Sequence, residues 1–306
     1  MDKFYVDTVR LLLETAPEVF QGDRFVMKGG TALNLFVQDM PRLSVDIDLV
    51  FIDHRTGRDQ ALAAIGLELA AIKERLSKRG YVVEIGSSKA GDDTKLFVRR
   101  DRLQVKVEIN HVFRGSLLPI EQRTLSKTAS NLFTTSLTVP TLAVSELYGS
   151  KLVAAMDRQH PRDLFDVHGM FDRFGLQTEM VECFVGYLAG HNRPVHEVLF
   201  SHDADLAQAY ENELVGMTGG EPISLGTLQA TRERLRRELI AGLTDAHKAF
   251  LLGLVAGEPQ WDLMACRHLA ELPALQWKLQ NLRRLRKSNS AKFELQSEEL
   301  KRAFSA

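Results

Sequence analysis

Polar and apolar side chains alternate along several short segments in the first half of the chain. In residues 44–52, apolar residues at every second position alternate with Ser44, Asp46 and Asp48. This period of two predicts a β-strand whose polar face carries two carboxylates. Similar patterns predict three later strands, at residues 81–85, 95–99 and 103–110.

Other segments repeat their apolar residues with helical spacing. Before residue 175, helices are predicted at residues 4–15, 31–37, 59–79, 141–157 and 161–171. Thr141 is the expected N-cap of the fourth helix, and Pro161 suits the first turn of the fifth. Beyond residue 175 the strand patterns fade, and helices are predicted near residues 178–190, 202–214, 226–256, 262–271 and 274–287.

These elements predict an α+β fold, with a mixed β-sheet and flanking helices followed by a mostly α-helical C-terminal region. We expect one domain over residues 1–140 and a helical domain over residues 141–306. The boundary is soft, because the change from mixed to helical patterning extends from about residue 140 to residue 175.

Composition narrows the class of protein. The 306 residues are 44% hydrophobic and 26% charged, which is typical of a soluble globular protein, and the net charge is -1. Attraction to a polyanion must therefore come from local patches. With no signal-like or membrane-spanning apolar run, we expect a cytoplasmic protein without a membrane partner. Cys183 and Cys266 stand far apart, which argues against a zinc site or a disulfide framework.

The strand with two carboxylates is the main candidate for chemistry. Asp46 and Asp48 are two residues apart, so their side chains project from the same face and can converge on divalent cations. Hard oxygen ligands suit Mg²⁺, which also takes oxygens from a triphosphate. A two-metal site needs a further carboxylate from a neighbouring strand, and Glu108 on the polar face of residues 103–110 is the best candidate.

A double glycine precedes the predicted helix at residues 31–37. Without Cβ atoms, Gly29 and Gly30 allow the backbone to approach a ligand closely. The start of the helix offers N–H groups to a phosphate, and Thr31 adds a hydroxyl.

Each of these features has a simpler explanation when it is taken alone. Two aspartates on a strand often form a solvated face, and a double glycine is often only a turn. Glu108 could be a cross-strand partner of Lys106 or Arg99. The order of glycine turn, helix, aspartate strand and later acid is far more specific than any of its parts.

This order resembles the DNA polymerase β-like nucleotidyltransferase superfamily. The segments KGGTAL (residues 28–33) and RLSVDIDL (residues 42–49) are similar to the AbiEii/AbiGii toxin family, whose members are toxins of type IV toxin–antitoxin systems. The gap between Gly30 and Asp46 is longer than in many superfamily members but suits this family. The resemblance covers about residues 25–170 and implies a nucleotidyltransferase-type sheet.

The resemblance also implies roles for residues after the sheet. Lys151 matches the family's helical lysine, and residues 162–166 (RDLFD) match a following acidic motif. Lys151 would neutralise a triphosphate in the active-site cleft, and Asp163 would contribute to nucleotide binding there. Asp163 or Asp166 would orient Lys151 or an arginine. Alternatively, Asp163 forms a structural pair with Arg158 or Arg162. His160 and His168 are interpreted as surface or core histidines rather than ligands.

Arg42 and Ser44 lie just before the two aspartates. They could contact the phosphates of a bound NTP or simply fix the strand. The mechanism that the resemblance implies is in-line attack of an acceptor hydroxyl on the α-phosphorus. Asp46, Asp48 and Glu108 would hold two Mg²⁺ ions, with Mn²⁺ as an alternative.

The resemblance further implies an antitoxin encoded nearby and, by likeness to related toxins, the 3′ end of tRNA as acceptor. A basic segment supports an RNA partner, since Trp277 and five cations lie between residues 277 and 287, with Lys292 beyond. A solvated helix end explains these cations equally well. The alternatives are a protein hydroxyl or small-molecule acceptor, or a non-catalytic module that binds nucleotide or a partner. We expect a monomer.

Overall fold

The computed structural model describes residues 1–87, 93–220 and 223–305, and the side chain of Asp93 lies outside that description. The chain divides into two compact units. The first contains Met1–Leu147 and a short segment that begins at Val215. The second contains Tyr148–Leu214 and the chain from Ile223 onward.

The first unit is built on a seven-stranded mixed sheet with the order β3-β4-β5-β2-β1-β7-β6. Strand β2 runs parallel to β5 on one side and antiparallel to β1 on the other. The sheet and the helices below confirm the predicted α+β class. The strands are β1 (Phe25–Lys28), β2 (Asp46–Phe51), β3 (Val82–Ser87), β4 (Asp93–Arg100), β5 (Leu103–Asn110), β6 (Glu121–Thr124) and β7 (Thr138–Thr141).

Alternation along the central strands sets which face is buried. Ile47 and Leu49 of β2 are fully buried, and Val105 and Val107 of β5 are buried beside them. This apolar face packs against helices α1 (Lys3–Val19) and α3 (Arg58–Lys78). The intervening polar residues are therefore on the other face, where the carboxylates of β2 and β5 lie.

The glycine turn leads directly into helix. Gly29–Thr31 form a short α-helical turn, α2, that continues as a π-helical segment over Ala32–Val37. Helix α4 (Lys127–Phe133) follows β6, and α5 (Val144–Asp157) follows β7. The prediction of Thr141 as a helix N-cap is wrong. Thr141 is the last residue of β7, where it pairs with Met27, and the helix begins three residues later.

The second unit is helical after α5. Its helices are α6 (Pro161–Arg173), α7 (Thr178–Ala189), α8 (Val195–Leu199), α9 (Ala207–Glu213), α10 (Leu225–Gly242), α11 (Asp245–Val255), α12 (Pro273–Ser288) and α13 (Ser290–Ser305). The single helix predicted for residues 226–256 is two helices, because Thr244 and His247 form a capping box that starts α11. The helix predicted for residues 262–271 is replaced by two 3₁₀ turns, Trp261–Leu263 and Leu269–Glu271.

Two further features bear on the sequence expectations. Over the residues that the structure describes, no helix is both long enough and apolar enough to cross a membrane. Cys183 is buried on α7, Cys266 is partly exposed, and no disulfide joins them.

Candidate active site

Strand register aligns four charged residues in one row across the sheet. Lys28 on β1 is opposite Asp48 on β2, Asp48 is opposite Glu108 on β5, and Glu108 is opposite Lys95 on β4. Two residues earlier on each strand, Lys106 on β5 is opposite Asp46 on β2. Since opposite residues share a face, the three predicted carboxylates lie on one surface of the sheet.

Two lysines hold the Glu108 carboxylate. Lys95 Nζ lies 3.0 Å from one of its oxygens, and Lys106 Nζ lies 2.7 Å from the other. Partial burial raises the pKa of Glu108, but hydrogen bonds from Lys106 and Lys95 outweigh it and lower the pKa overall. Of the two partners considered for Glu108, Lys106 is confirmed on the same strand, whereas Arg99 pairs with Glu84 at 2.7 Å.

The two aspartates also affect the pKa of Lys106. Burial lowers its pKa, but the hydrogen bond to Glu108 and the charges of Asp46, Glu108 and Asp48 raise it overall. Lys106 therefore remains protonated beside the carboxylates and offsets part of their mutual repulsion.

The double glycine lies against this acidic surface. Gly29 has a φ of +76°, and a Cβ atom at this position would collide with the Asp48 carboxylate. A Cβ atom at Gly30 would lie 3.0 Å from both Arg42 Nη2 and Ser44 Oγ. The turn is therefore close to three of the predicted site residues, and only glycine fits at Gly29 without strain.

Thr31 connects the turn to the start of β2. Its side chain is fully buried, and its hydroxyl hydrogen-bonds to the Asp46 carbonyl oxygen and to Ser44 Oγ, the latter at 2.9 Å. These bonds fix the backbone at Asp46 rather than present a donor to solvent.

Contacts of both its side chain and its backbone hold Arg42 in place. Its side chain is buried, and Nη1 donates to the Leu43 carbonyl oxygen at 2.9 Å. Arg42 forms a bridge with Thr218, and the Leu43 N–H donates to the Met217 carbonyl oxygen at 2.8 Å. The segment that begins at Val215 thus braces the loop carrying Arg42 and Ser44.

The donor chemistry of this surface fits a divalent cation, but its present arrangement is incomplete. Asp46 and Asp48 offer the carboxylate oxygens that Mg²⁺ prefers. Glu108 offers a third carboxylate, yet both of its oxygens are bound to lysines. Consistent with this, among the described residues no three acidic, histidine or cysteine side chains are grouped as metal ligands. Glu108 would join such a site through a remaining lone pair or by exchanging a lysine contact.

A cavity of about 360 Å³ lies on the same surface. It is lined by Lys28, Asp48, Leu49, Thr94, Lys95, Glu108, Ile109, Asn110 and His111. Both carboxylates and both lysines of the charged row therefore line this space. Sequence analysis selected Asp48 and Glu108 and considered Lys106 as a partner of Glu108. It missed Lys28 and Lys95, although alternation on β4 places Lys95 on the polar face.

In the second unit, Lys151 is buried between two aspartates. Its Nζ lies 2.7 Å from Asp163 Oδ1 and 3.0 Å from Asp166 Oδ2. Arg158 Nε also donates to Asp163, at 2.6 Å. The alternatives for Asp163 thus coexist, because it pairs with both Lys151 and Arg158, whereas Arg162 pairs with Glu213 at 3.2 Å.

This cluster is almost closed to solvent. Asp163 is 1% exposed and Lys151 is 8% exposed. Burial raises the pKa of Asp163, but the charges of Lys151 and Arg158 and their hydrogen bonds lower it far more. Two cations therefore compensate two carboxylates: Lys151 is buried with Asp163 and Asp166, while the side chain of Arg158 is 61% exposed and reaches Asp163 from the surface.

The two histidines near this cluster have structural partners. His160 accepts the Arg162 N–H at the start of α6 and lies 2.9 Å from Glu213. His168 lies 3.3 Å from Asp172 on the same helix.

Comparisons with known proteins agree with the resemblance read from the glycine turn and the aspartate strand. The sequence model of the family described as nucleotidyl transferase AbiEii toxin, type IV TA system, matches residues 10–281. No curated protein sequence matches the chain significantly.

Solved structures add a likeness of fold. MenT4, a nucleotidyltransferase toxin from Mycobacterium tuberculosis H37Rv, aligns with a TM-score of 0.58 at 19% identity over 89% of this chain and 92% of MenT4. The CdnC:HORMA-deltaN complex of E. coli MS115-1 aligns with a TM-score of only 0.21 at 12% identity, covering 88% of each chain, and carries no argument about fold. With the family match spanning most of its length, the chain belongs to the AbiEii nucleotidyltransferase toxin family of type IV toxin–antitoxin systems.

Proposed function

We propose that the protein transfers a nucleoside monophosphate from an NTP to the hydroxyl at the 3′ end of tRNA. Asp46, Asp48 and Glu108 would hold two Mg²⁺ ions, which Mn²⁺ could replace. The observation that carries this proposal is the register of β2 and β5. In that register Asp48 is directly opposite Glu108, and Asp46 lies two residues before Asp48 on β2.

Like charges directly opposite each other destabilise a sheet. Lys95 and Lys106 currently offset that repulsion from the Glu108 side. A divalent cation can do the same from the Asp46 and Asp48 side, because these two carboxylates lie on the same face of β2. When bound, the cations would supply charge stabilisation for the triphosphate and lower the pKa of the acceptor hydroxyl.

We assign the phosphates of the NTP to the glycine turn. Gly29 lies against the Asp48 carboxylate, and Gly30 lies against Arg42 and Ser44. Arg42 supplies a guanidinium suited to phosphate, and Ser44 supplies a hydroxyl. Thr31 acts as a positioning residue, because its hydroxyl already bonds to the strand that carries Asp46.

We further propose that Lys151 neutralises charge on the triphosphate. Asp163 and Asp166 would orient its ammonium group, since each lies within 3.0 Å of Nζ. Asp163 is 1% exposed and is already bound by Lys151 and Arg158. It would therefore act on the nucleotide through Lys151.

Helix α12 supports a polyanionic acceptor. It contains no acidic residue, and Arg284 lies over the ring of Trp277 at 5.7 Å, with that tryptophan 48% exposed. Within the part of the chain that the structure describes, no ion pair engages its exposed cations, which are Arg283, Arg284, Arg286 and Lys287. An exposed aromatic ring among unpaired arginines is the combination with which proteins bind single-stranded RNA.

Membership of a type IV toxin family implies an antitoxin partner. We propose that this antitoxin is encoded nearby and that the toxin acts as a monomer in the cytoplasm, where NTP and tRNA occur together.

The test is to incubate the purified protein with Mg²⁺, total tRNA and each α-labelled NTP in turn, with Asp48→Ala as control. The proposal predicts label on tRNA for the wild type and none for the variant. Label on protein or small molecules in cell extract, but not on tRNA, would assign a different acceptor. Binding of NTP without any transfer would favour a non-catalytic module.

A further inference from the structure

We propose that the cavity beside Asp48 and Glu108 binds the terminal nucleotide of the acceptor RNA, with Lys95 contacting its phosphate. This inference rests on the proposed function and assigns the second substrate of that reaction to named residues.

The cavity and the glycine turn are bordered by largely different residues, with Asp48 common to both. The lining of the cavity comes from β1, β2, β4 and β5 and from His111, which follows β5. Arg42 and Ser44, which lie against Gly30, are not among the lining residues. Asp48 therefore lies between the glycine turn and the cavity.

The geometry of nucleotidyl transfer determines the side from which the acceptor hydroxyl approaches. The attacking and leaving oxygens must be roughly in line across the reacting phosphorus. If the triphosphate lies at the glycine turn, its leaving pyrophosphate is on that side of Asp48. The attacking hydroxyl must then approach from the cavity side, where Glu108 lies.

The residues that line the cavity suit the end of a polynucleotide. A volume of about 360 Å³ falls within the range of pockets that hold small ligands. Lys28 and Lys95 provide cations for a phosphate, while Asp48 and Glu108 provide carboxylates near a reacting hydroxyl. The end of a polynucleotide carries both groups on one nucleotide.

Lys95 is the phosphate contact because its ion pair with Glu108 can open. Its Nζ lies 3.0 Å from Glu108 Oε1, whereas Lys106 binds the other oxygen at 2.7 Å. Both Lys95 and Glu108 are about one third exposed, so this ion pair can open at little cost. Transfer of Lys95 to a phosphate frees one oxygen of Glu108, and acceptor binding thereby prepares the third carboxylate for a cation.

The experiment measures binding of tRNA that ends in a 3′-deoxynucleotide, so that no transfer occurs, to wild type and Lys95→Gln. We expect the variant to bind this RNA about tenfold more weakly, because it lacks one charge-assisted hydrogen bond to the phosphate. Its affinity for NTP should be unchanged, and Lys95→Arg should restore RNA binding. Arg99→Gln is the matched control, since Arg99 lies on the same face of β4 but pairs with Glu84.

A neutral linkage makes the test specific for the phosphate of the terminal nucleotide. Replacement of the phosphodiester that joins this nucleotide by an uncharged methylphosphonate should abolish the difference between wild type and Lys95→Gln, because Lys95 then has no negative charge to bind. The RNA should also raise the affinity of the wild type for Mn²⁺, and Lys95→Gln should lose this coupling.

Two outcomes would overturn the inference. Unchanged RNA binding by Lys95→Gln would exclude Lys95 as a phosphate ligand, and weaker NTP binding would assign the cavity to the nucleotide. If the wild type labels tRNA in either case, the proposed function stands and only this inference fails. If the wild type neither binds nor labels tRNA, both fail.

Discussion

Asp48 and Glu108 lie directly opposite each other on the parallel strands β2 and β5. Two carboxylates in this relationship repel each other, and a sheet selected only for stability would avoid it. The surrounding residues accommodate the pair, since two lysines bind Glu108 and a glycine leaves space for Asp48. Such a local conflict with compensation around it is expected at a functional site.

Replacing Asp48 should separate activity from stability. Asp48→Asn keeps the size of the side chain but removes its charge, so nucleotidyl transfer should fall at least about 100-fold. Its free energy of unfolding should be unchanged or higher by up to about 0.5 kcal/mol, because repulsion from Glu108 is relieved. Initial transfer rates and thermal melting measure the two effects. Transfer within a few-fold of wild type would exclude Asp48 from the reaction.

Gly29 should be required for the shape of the site and not only for its backbone angle. Gly29→Ala introduces a Cβ atom into the Asp48 carboxylate and strains a φ of +76°. We expect transfer to fall about 100-fold through displacement of Asp48, while the free energy of unfolding falls by about 1–2 kcal/mol.

The matched control for this change is Gly80→Ala. Gly80 has a φ of +87°, but no atom lies within 4 Å of an added Cβ. Gly80→Ala should lose similar stability and keep its activity. Equal losses of activity in both variants would show that backbone strain alone explains the effect.

Local patterns predict the carboxylates well but not their surroundings. Period-two alternation locates β2 and β5 and so identifies Asp46, Asp48 and Glu108 as polar-face residues. Their adjacency depends on β2 pairing with β5 across more than fifty residues of sequence, which no local pattern contains. For the same reason Lys95, the partner of Glu108 on β4, becomes evident only from the sheet, whereas Lys106 lies two residues from Glu108 on the same strand.

The three strands that sequence patterns miss are all four residues long. Strand β1 (Phe25–Lys28) is too short to show a period, and β7 (Thr138–Thr141) contains a proline, which argues against a strand. The pattern favours Thr141 as part of the following helix, because threonine before an apolar helical pattern is typical of an N-cap. Parallel pairing with β1 determines its conformation instead.

Asp163 should contribute an acid-dependent part of the stability. Its pKa is lowered in the folded protein, so its contribution is present above the unfolded pKa of about 3.9 and is lost as pH falls below that value. Asp163→Asn should lower the free energy of unfolding at pH 7 by about 3 kcal/mol, because Lys151 and Arg158 lose a buried partner. Melting temperatures from pH 6 to pH 2.5 should therefore fall less steeply in this variant than in wild type.

Asp172→Asn provides the comparison for that experiment. Asp172 lies on the same helix with its side chain 64% exposed, so its replacement controls for the loss of a helix carboxylate that is not buried. An Asp163→Asn variant with the wild-type acid dependence would contradict the assigned role of the buried pairs.

The exposed face of α12 should contribute to RNA affinity through charge and stacking. Changing Arg283, Arg284 and Lys287 to glutamine should reduce the slope of log affinity against log salt by about one for each phosphate that is no longer neutralised. Trp277→Ala should weaken binding by about tenfold or more without changing that slope, because a stacked base is uncharged. Filter binding of tRNA across a salt series measures both.

A control for α12 comes from the next helix. Arg302 on α13 pairs with Glu299, so Arg302→Gln should alter neither affinity nor slope. If the triple α12 variant also keeps the wild-type slope, the cations of α12 are a solvated helix surface and not part of the acceptor site.

The central claim is that the chain catalyses transfer of the nucleotidyl group, and the position of the label in the NTP tests it most directly. Wild-type protein is incubated with Mg²⁺, tRNA and one NTP labelled at either the α- or the γ-phosphorus. The account predicts that only the α-label enters tRNA, that the γ-label leaves as pyrophosphate, and that Asp48→Asn abolishes both. Transfer of the γ-label to tRNA, or α-label transfer that persists in Asp48→Asn, would contradict it.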